Sequence, residues 1–172
     1  CEDNFGNIWI GTDRGLVTFD FGHQQFVSKK PLSENVANYS VSHIINDKSG
    51  NIWVATEENG LWKISYIDND SITCTRVFND LLLNRNITNL CLLNDNHLLI
   101  GTNNGVVAVN LAGGNTKSEW KKLEENLHDQ NISKLFQDSK GNVWAGTKEI
   151  GLFLYETNNR QTTYFGADNK VE

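Results

Sequence analysis

Apolar positions along this chain come in short bursts of period two, broken every few residues by Gly, Asn or Asp. Such bursts predict short β-strands joined by tight turns, and the punctuation comes too often for any helix of usable length. Four bursts line up without gaps: Gly6 to Thr12 (GNIWIGT), Gly50 to Thr56 (GNIWVAT), Asn96 to Thr102 (NHLLIGT) and Gly141 to Thr147 (GNVWAGT). Thr12, Thr56, Thr102 and Thr147 therefore recur every 44 to 46 residues. Upstream lies a run with apolar residues at its first, fourth and fifth positions: Val41/Ile44/Ile45, Ile87/Leu90/Cys91 and Ile132/Leu135/Phe136. An acidic residue, Asp3, Asp47 or Asp138, precedes the turn glycine by three positions. Downstream come Gly15-Leu16, Gly60-Leu61, Gly105-Val106 and Gly151-Leu152, each opening an apolar strand. A last, weaker strand carries Phe26, Phe78, Trp120 or Tyr164-Phe165.

Each unit is thus four short strands, A to D, in about 45 residues, the period and strand count of a β-propeller blade. The expected fold is all-β: four-stranded antiparallel blades that form a fragment of a larger propeller. The units span 1–30 (a blade lacking strand A), 40–79, 86–123 and 131–166. Strand B is apolar on both faces, so it needs cover on both sides, and neighbouring blades supply it. Trp9, Trp53 and Trp144 are read as the large fillers of that layer. Asp-x-x-Gly-Asn is the A–B hairpin, with the Asp accepting from turn amides and Gly supplying positive φ. In the third unit Leu93 and Asn96 replace Asp and Gly, and Asn tolerates the left-handed region. Gly11, Ala55, Gly101 and Gly146 are small at a point of close approach. An open array leaves edges bare, so the blades close on themselves, pair with a second copy, or continue into a larger ring, the arrangement favoured here. The tail from Ala167 to Glu172 is a poor donor of a closing strand.

Composition adjusts this picture only modestly. The net charge of -6 and the absence of any long basic run argue against nucleic acid and against an anionic membrane surface. No apolar stretch approaches a transmembrane span. The sequence contains no methionine, from which the chain is expected to be part of a longer polypeptide with any targeting segment outside it. Cys1, Cys74 and Cys91 suggest neither a disulfide framework nor a zinc site. Cys1 and Cys91 share a repeat position with Ile45 and Phe136 and are read as buried apolar filler.

Candidate chemistry is sparse. His23, His43, His97 and His128 fall at different places in their units, without a spaced carboxylate or Cys partner, and are read as structural. No nucleophile elbow, zinc-protease or phosphate-loop motif occurs. Asp68-Asn69-Asp70-Ser71 is read as a plain turn, since it lacks the glycine and distal Glu of a calcium loop. Sequons occur at Asn38, Asn69, Asn86 and Asn131; Asn86 and Asn131 share one repeat position just before strand A and are read as turn residues, and glycosylation is not expected. No catalytic residue, metal site or cofactor is expected. The B–C loops vary on a constant scaffold, which is where specificity resides in repeat proteins. Arg14, Glu58, Asn59, Asn104 and Lys148 from these loops, with Tyr39 from a D–A loop, are the candidate ligand-binding residues. Thr12, Thr56, Thr102, Thr147, Gly15, Gly60, Gly105 and Gly151 are assigned to the repeat framework.

The stretch from Asp47 through Gly50-Asn51-Ile52-Trp53-Val54-Ala55-Thr56 to Gly60-Leu61 resembles the two-component regulator propeller repeat. Asp3 to Leu16 and Asp138 to Leu152 resemble it too, and the third unit does so in part. The resemblance implies a periplasmic sensor segment of a hybrid histidine kinase anchored in the inner membrane, one that detects oligosaccharides and relays to a kinase outside this chain. Further propeller blades, and a second copy of the chain, are the implied partners. Two alternatives remain open: a propeller enzyme of the streptogramin lyase kind, with His43, His128 and Glu58 as its loose candidates, or a protein-interaction scaffold without a small ligand.

Overall fold

The computed structural model describes residues 1–27, 36, 38–68, 71–83, 85–93, 96–112 and 120–166. The chain forms four antiparallel sheets, in two compact units, Cys1–Ile87 and Thr88–Glu172. In the first unit, β1 (Ile8–Thr12), β2 (Gly15–Asp20) and β3 (Gln25–Val27) make one sheet. β4 (Val41–Asn46), β5 (Ile52–Thr56), β6 (Leu61–Tyr66) and β7 (Ile72–Val77) make the next, in sequential order. In the second unit, β8 (Ile87–Leu92), β9 (His97–Thr102) and β10 (Gly105–Asn110) form a sheet. After the helix α1 (Lys121–Asn126), β11 (Ile132–Gln137), β12 (Val143–Thr147), β13 (Leu152–Glu156) and β14 (Gln161–Phe165) form another. Ahead of β1, Glu2 bridges Ile8, and Cys1 exchanges backbone hydrogen bonds with Trp9. These residues take the register of Ile45 and Asn46 against Trp53 and Ile52 in the second sheet.

The helix corrects the sequence reading, which allowed none and placed Trp120 on a fourth strand. Among the described residues the third sheet has three strands, and α1 lies against its outer one. Glu124 accepts a hydrogen bond from the Ala108 amide at 2.8 Å. Leu123 and Leu127, four residues apart and so on one helix face, are fully buried with Trp120. The helix thus satisfies a strand edge and covers its apolar side at once, the two needs a strand D meets elsewhere. The turn-like stretch Gly113-Gly114-Asn115, the tail from Ala167 and part of the Asp68–Ser71 turn lie outside the described residues.

Each unit has its own core. In the first, Trp9 and Leu16 pack with Ile52, Val54, Trp62 and Ile64, so the tryptophan of one blade fills against strand B of the next. A methyl carbon added to Gly11 would lie 2.5 Å from Val41 Cγ1, which is the close approach that makes a small residue necessary there. In the second unit, an addition to Gly101 would meet Ile132, the repeat equivalent of Val41, at 2.8 Å. Thr88 Oγ1 donates to the Ile132 carbonyl at 2.6 Å, and the buried Asn89 side chain accepts from the Leu135 amide at 2.9 Å. Two polar side chains on β8 therefore stitch it to β11, where an unpaired buried amide would be costly.

The position shared by Cys1, Ile45, Cys91 and Phe136 is not uniform filler. Cys91 is buried, but Cys1 is exposed and Phe136 is 59% exposed. Burial at this position depends on what covers each strand A, which the repeat pattern does not encode. Burial also pushes the Cys74 thiol up to about 11 and raises that of Cys91, leaving both protonated and unreactive at neutral pH.

Candidate ligand-binding loops

The A–B hairpins are fastened by the aspartate. Asp47 accepts the amides of Ser49 and Asn51 at 2.9 Å on one oxygen. Its other oxygen accepts Asn51 Nδ2 at 2.8 Å and Trp53 Nε1 at 2.9 Å. Asp3 with Asn7 and Trp9, and Asp138 with Asn142 and Trp144, repeat the arrangement. Asp3 additionally accepts from the Tyr66 hydroxyl of the next blade. The tryptophans are therefore more than filler, since each ties its strand B to its own turn through the indole N–H. In the third unit, Asn96 holds φ +66°, so the left-handed turn forms without glycine.

Burial works to raise the carboxyl pKa of Asp3 and Asp47, yet the converging hydrogen bonds outweigh it and hold both below the usual 3.8. Asp138 shifts the same way, again against desolvation, through its bonds to Asn142 and Trp144. Folded-state values below the unfolded ones mean that the unfolded chain binds more protons in this window. Their stabilisation is full above about pH 4 and is lost as pH falls through the depressed values. The melting temperature should fall steeply below about pH 4, and less steeply in Asp47→Asn; equal slopes in the two proteins would contradict this.

The B–C hairpins are fastened by the threonine. Thr12, Thr56, Thr102 and Thr147 donate through Oγ1 to the carbonyls of Gly15, Gly60, Gly105 and Gly151 at 2.8–2.9 Å. The same oxygens accept the amides of Arg14, Asn59, Asn104 and Ile150 at 3.0–3.2 Å. All four glycines have positive φ. Each B–C loop is thus a closed turn whose backbone is committed and whose side chains project from a fixed base.

On that base the candidates sit as follows. In the first unit, Arg14, Tyr39 and Glu58 are exposed and Asn59 is half-buried; in the second, Lys148 is exposed and Asn104 half-buried. The Lys148 amide donates to the Asn131 carbonyl, as the Glu57 amide does to Ser40, which ties each hairpin to the start of its own strand A. Of the six candidates, Glu58 alone lines the cleft of about 460 Å³ in the first unit. Beside it are Arg76, Leu82, Leu83, Arg85 and Asn86. Four of these follow β7 in the connection to the next blade, folded as turns by bonds from the Leu81 and Leu82 amides to Phe78 O and from the Arg85 amide to Leu82 O. Sequence reasoning missed Arg76, Leu82, Leu83 and Arg85, and took Asn86 as a turn residue. The available signal was three successive leucines, Leu81 to Leu83, in a stretch that belongs to no strand.

Two of the histidines have a carboxylate partner that the sequence reading did not expect. His23 Nδ1 lies 2.8 Å from Asp20, which raises the imidazole pKa, and His128 Nδ1 lies 2.8 Å from Asp129. Both pairs are exposed and local in sequence. His43 lines a different cleft of the first unit, along β1 and β4, from the one that holds Glu58. Among the described residues, no three His, Cys, Asp or Glu side chains gather to hold a metal ion.

Comparison with known proteins agrees with the repeat geometry. The family model of the two-component regulator propeller matches residues 35–58 and 126–149, each an A–B hairpin with its flanks. These two stretches resemble repeats of this family. It is 35% identical over 69 residues to Histidine kinase P4 of Formosa agariphila, a match covering 37% of this chain and 5% of that protein. The extracellular domain of the putative hybrid two component system BT4673 from B. thetaiotaomicron superposes with a TM-score of 0.72 at 22% identity, over 95% of this chain and 21% of that one. PorZ, a surface component of the type-IX secretion system of Porphyromonas gingivalis, superposes with a TM-score of 0.74 at 18% identity, over 98% of this chain and 27% of PorZ. At these structural identities the likeness is one of fold, and this chain spans only 5%, 21% and 27% of these three proteins. Its sheets are propeller blades.

Proposed function

We propose that this chain, two stretches of which match the two-component regulator propeller, is a sensor module: an extracytoplasmic segment that recognises oligosaccharides and relays their presence to a histidine kinase domain outside these residues. The observation that carries the reading is the contrast between framework and loops. Aspartate and threonine locks recur from blade to blade, while the residues mounted on them do not, and Glu58 opens onto a cleft large enough for a sugar unit. A polar rim of Glu58 and Asn86 beside Leu82 and Leu83 offers hydrogen bonds next to apolar surface, the combination that a sugar's hydroxyls and C–H face require.

The segment itself has no part in catalysis on this reading. A lyase would need His43, His128 and Glu58 to converge, whereas within the first unit His43 and Glu58 line different clefts. No described helix is long and apolar enough to cross a membrane.

The parent reading frame tests the proposal. Further repeats followed by a membrane helix and a kinase domain are expected, and a stop codon without either would remove the sensor reading. Alanine at Glu58 should weaken oligosaccharide binding about ten-fold while leaving the melting temperature within a degree or two. Alanine at Arg14, Asn59 and Asn104 maps the other hairpins, and unchanged affinity in all three would confine recognition to the Glu58 cleft.

A further inference from the structure

We propose that the Glu58 cleft is a carboxylate subsite, in which Arg76 and Arg85 hold the carboxylate of an acidic sugar residue while Glu58 and Asn86 take its hydroxyls. The inference deepens the oligosaccharide reading and rests on it. Two of the chain's four arginines line this one cleft, in a chain whose net charge is -6. Guanidinium presents a planar fork of donors matched to a carboxylate, which lysine does not.

The placement of Arg76 differs from that of its equivalent in the fourth blade. It lies on β7 opposite Trp62, and its guanidinium rests on the B–C hairpin. A methyl carbon at Gly60 would stand 3.2 Å from Nε and 3.3 Å from Nη2, so the absence of a side chain makes room for the guanidinium. In the fourth blade the equivalent residue is Tyr164, whose hydroxyl donates to the Ile150 carbonyl of its own hairpin. The repeat therefore has a position reaching from strand D to the B–C turn. The fourth blade uses it to close the turn, and the second sets a cation there beside a cleft. Leu82, 5% exposed, anchors the wall, and Leu83, 71% exposed, presents apolar surface at the rim for the C–H face of a ring.

Calorimetric titration of the whole chain with digalacturonate, its dimethyl ester and glucose 6-sulfate tests this. Digalacturonate should bind, with affinity falling as salt is raised. Arg76→Gln and Arg85→Gln should each weaken it about 10- to 100-fold, and Arg76→Lys should recover part of the loss. The ester should bind at least about ten-fold more weakly, since its charge is gone while its hydroxyls and shape are retained. Circular dichroism on the variants reports that the fold is intact. Unchanged affinity in both Gln variants, an ester as tight as the acid, a sulfate as tight as the carboxylate, or no binding of digalacturonate would each overturn the proposal. If a neutral oligosaccharide then bound independently of both arginines, the sensor reading would stand without the carboxylate subsite.

Discussion

Trp9→Ala should destabilise the first unit by about 3–5 kcal/mol, the range for emptying a large aromatic site in a packed core. Trp9 is 1% exposed and packs with Ile52 and Val54 of the following blade, so the cavity opens between two blades. Its indole N–H also donates to Asp3 at 2.7 Å, and that carboxylate accepts the Asn7 amide and the Tyr66 hydroxyl as well. Trp9→Phe separates the two roles. It retains most of the packing and leaves Asp3 one donor short, so about 1–2 kcal/mol is expected. Urea denaturation of the three proteins decides the matter. If Phe were as damaging as Ala, the hydrogen bond would dominate; if Phe were neutral, the aspartate lock would contribute nothing to stability.

Gly151→Ala should cost about 3 kcal/mol, for two reasons that add. Gly151 has φ +126°, where a side chain is strained. A methyl there would also lie 2.4 Å from the Phe165 carbonyl oxygen and 3.2 Å from Gly166 Cα, both backbone atoms of the segment beside it. Relief requires β13 and β14 to separate at that end, which also disturbs the bond from Thr147 Oγ1 to the Gly151 carbonyl. Gly60→Ala is the control at the same repeat position. Its φ is +74°, and the new methyl would meet only the far end of Arg76, a flexible side chain. A cost of about 1–2 kcal/mol is expected there. Equal losses at the two sites would show that backbone strain alone governs the hairpin.

What the sequence revealed, and what it hid, follows from the nature of a repeat. Residues that recur do so because each blade solves the same local problem, so the Asp-x-x-Gly-Asn turn, the threonine before the B–C turn and the left-handed Asn96 were legible as framework. Alignment shows identities and not which atoms meet, so the bond from Trp53 to Asp47 was invisible although both partners had been singled out. The helix at Lys121–Asn126 was missed because Trp120 fell at the strand D aromatic position, and an aligned aromatic was given more weight than Leu123 and Leu127 spaced for one helical face. Cys1 was misread for a related reason: a position can recur while its cover does not. The cleft lay furthest from view. The connection after β7 is built like the others, with the Arg85 amide bonded to the Leu82 carbonyl as Gln130 is to Leu127 and Tyr39 to Val36, but Leu83 and Arg85 on it do not recur, and Arg76 differs from its repeat equivalent, Tyr164. A method that looks for sameness passes over residues of this kind, which is also why specificity can reside there.

The proposed role has these blades sense a saccharide on behalf of a kinase. Autophosphorylation of the whole parent receptor in membranes, measured against an oligosaccharide panel with native Glu58 and with Glu58→Ala, tests it most directly. At least one oligosaccharide is expected to change the rate, and the substitution to shift the required concentration upward about ten-fold. A rate indifferent to every oligosaccharide, or a response that the Glu58 substitution leaves in place, would contradict it.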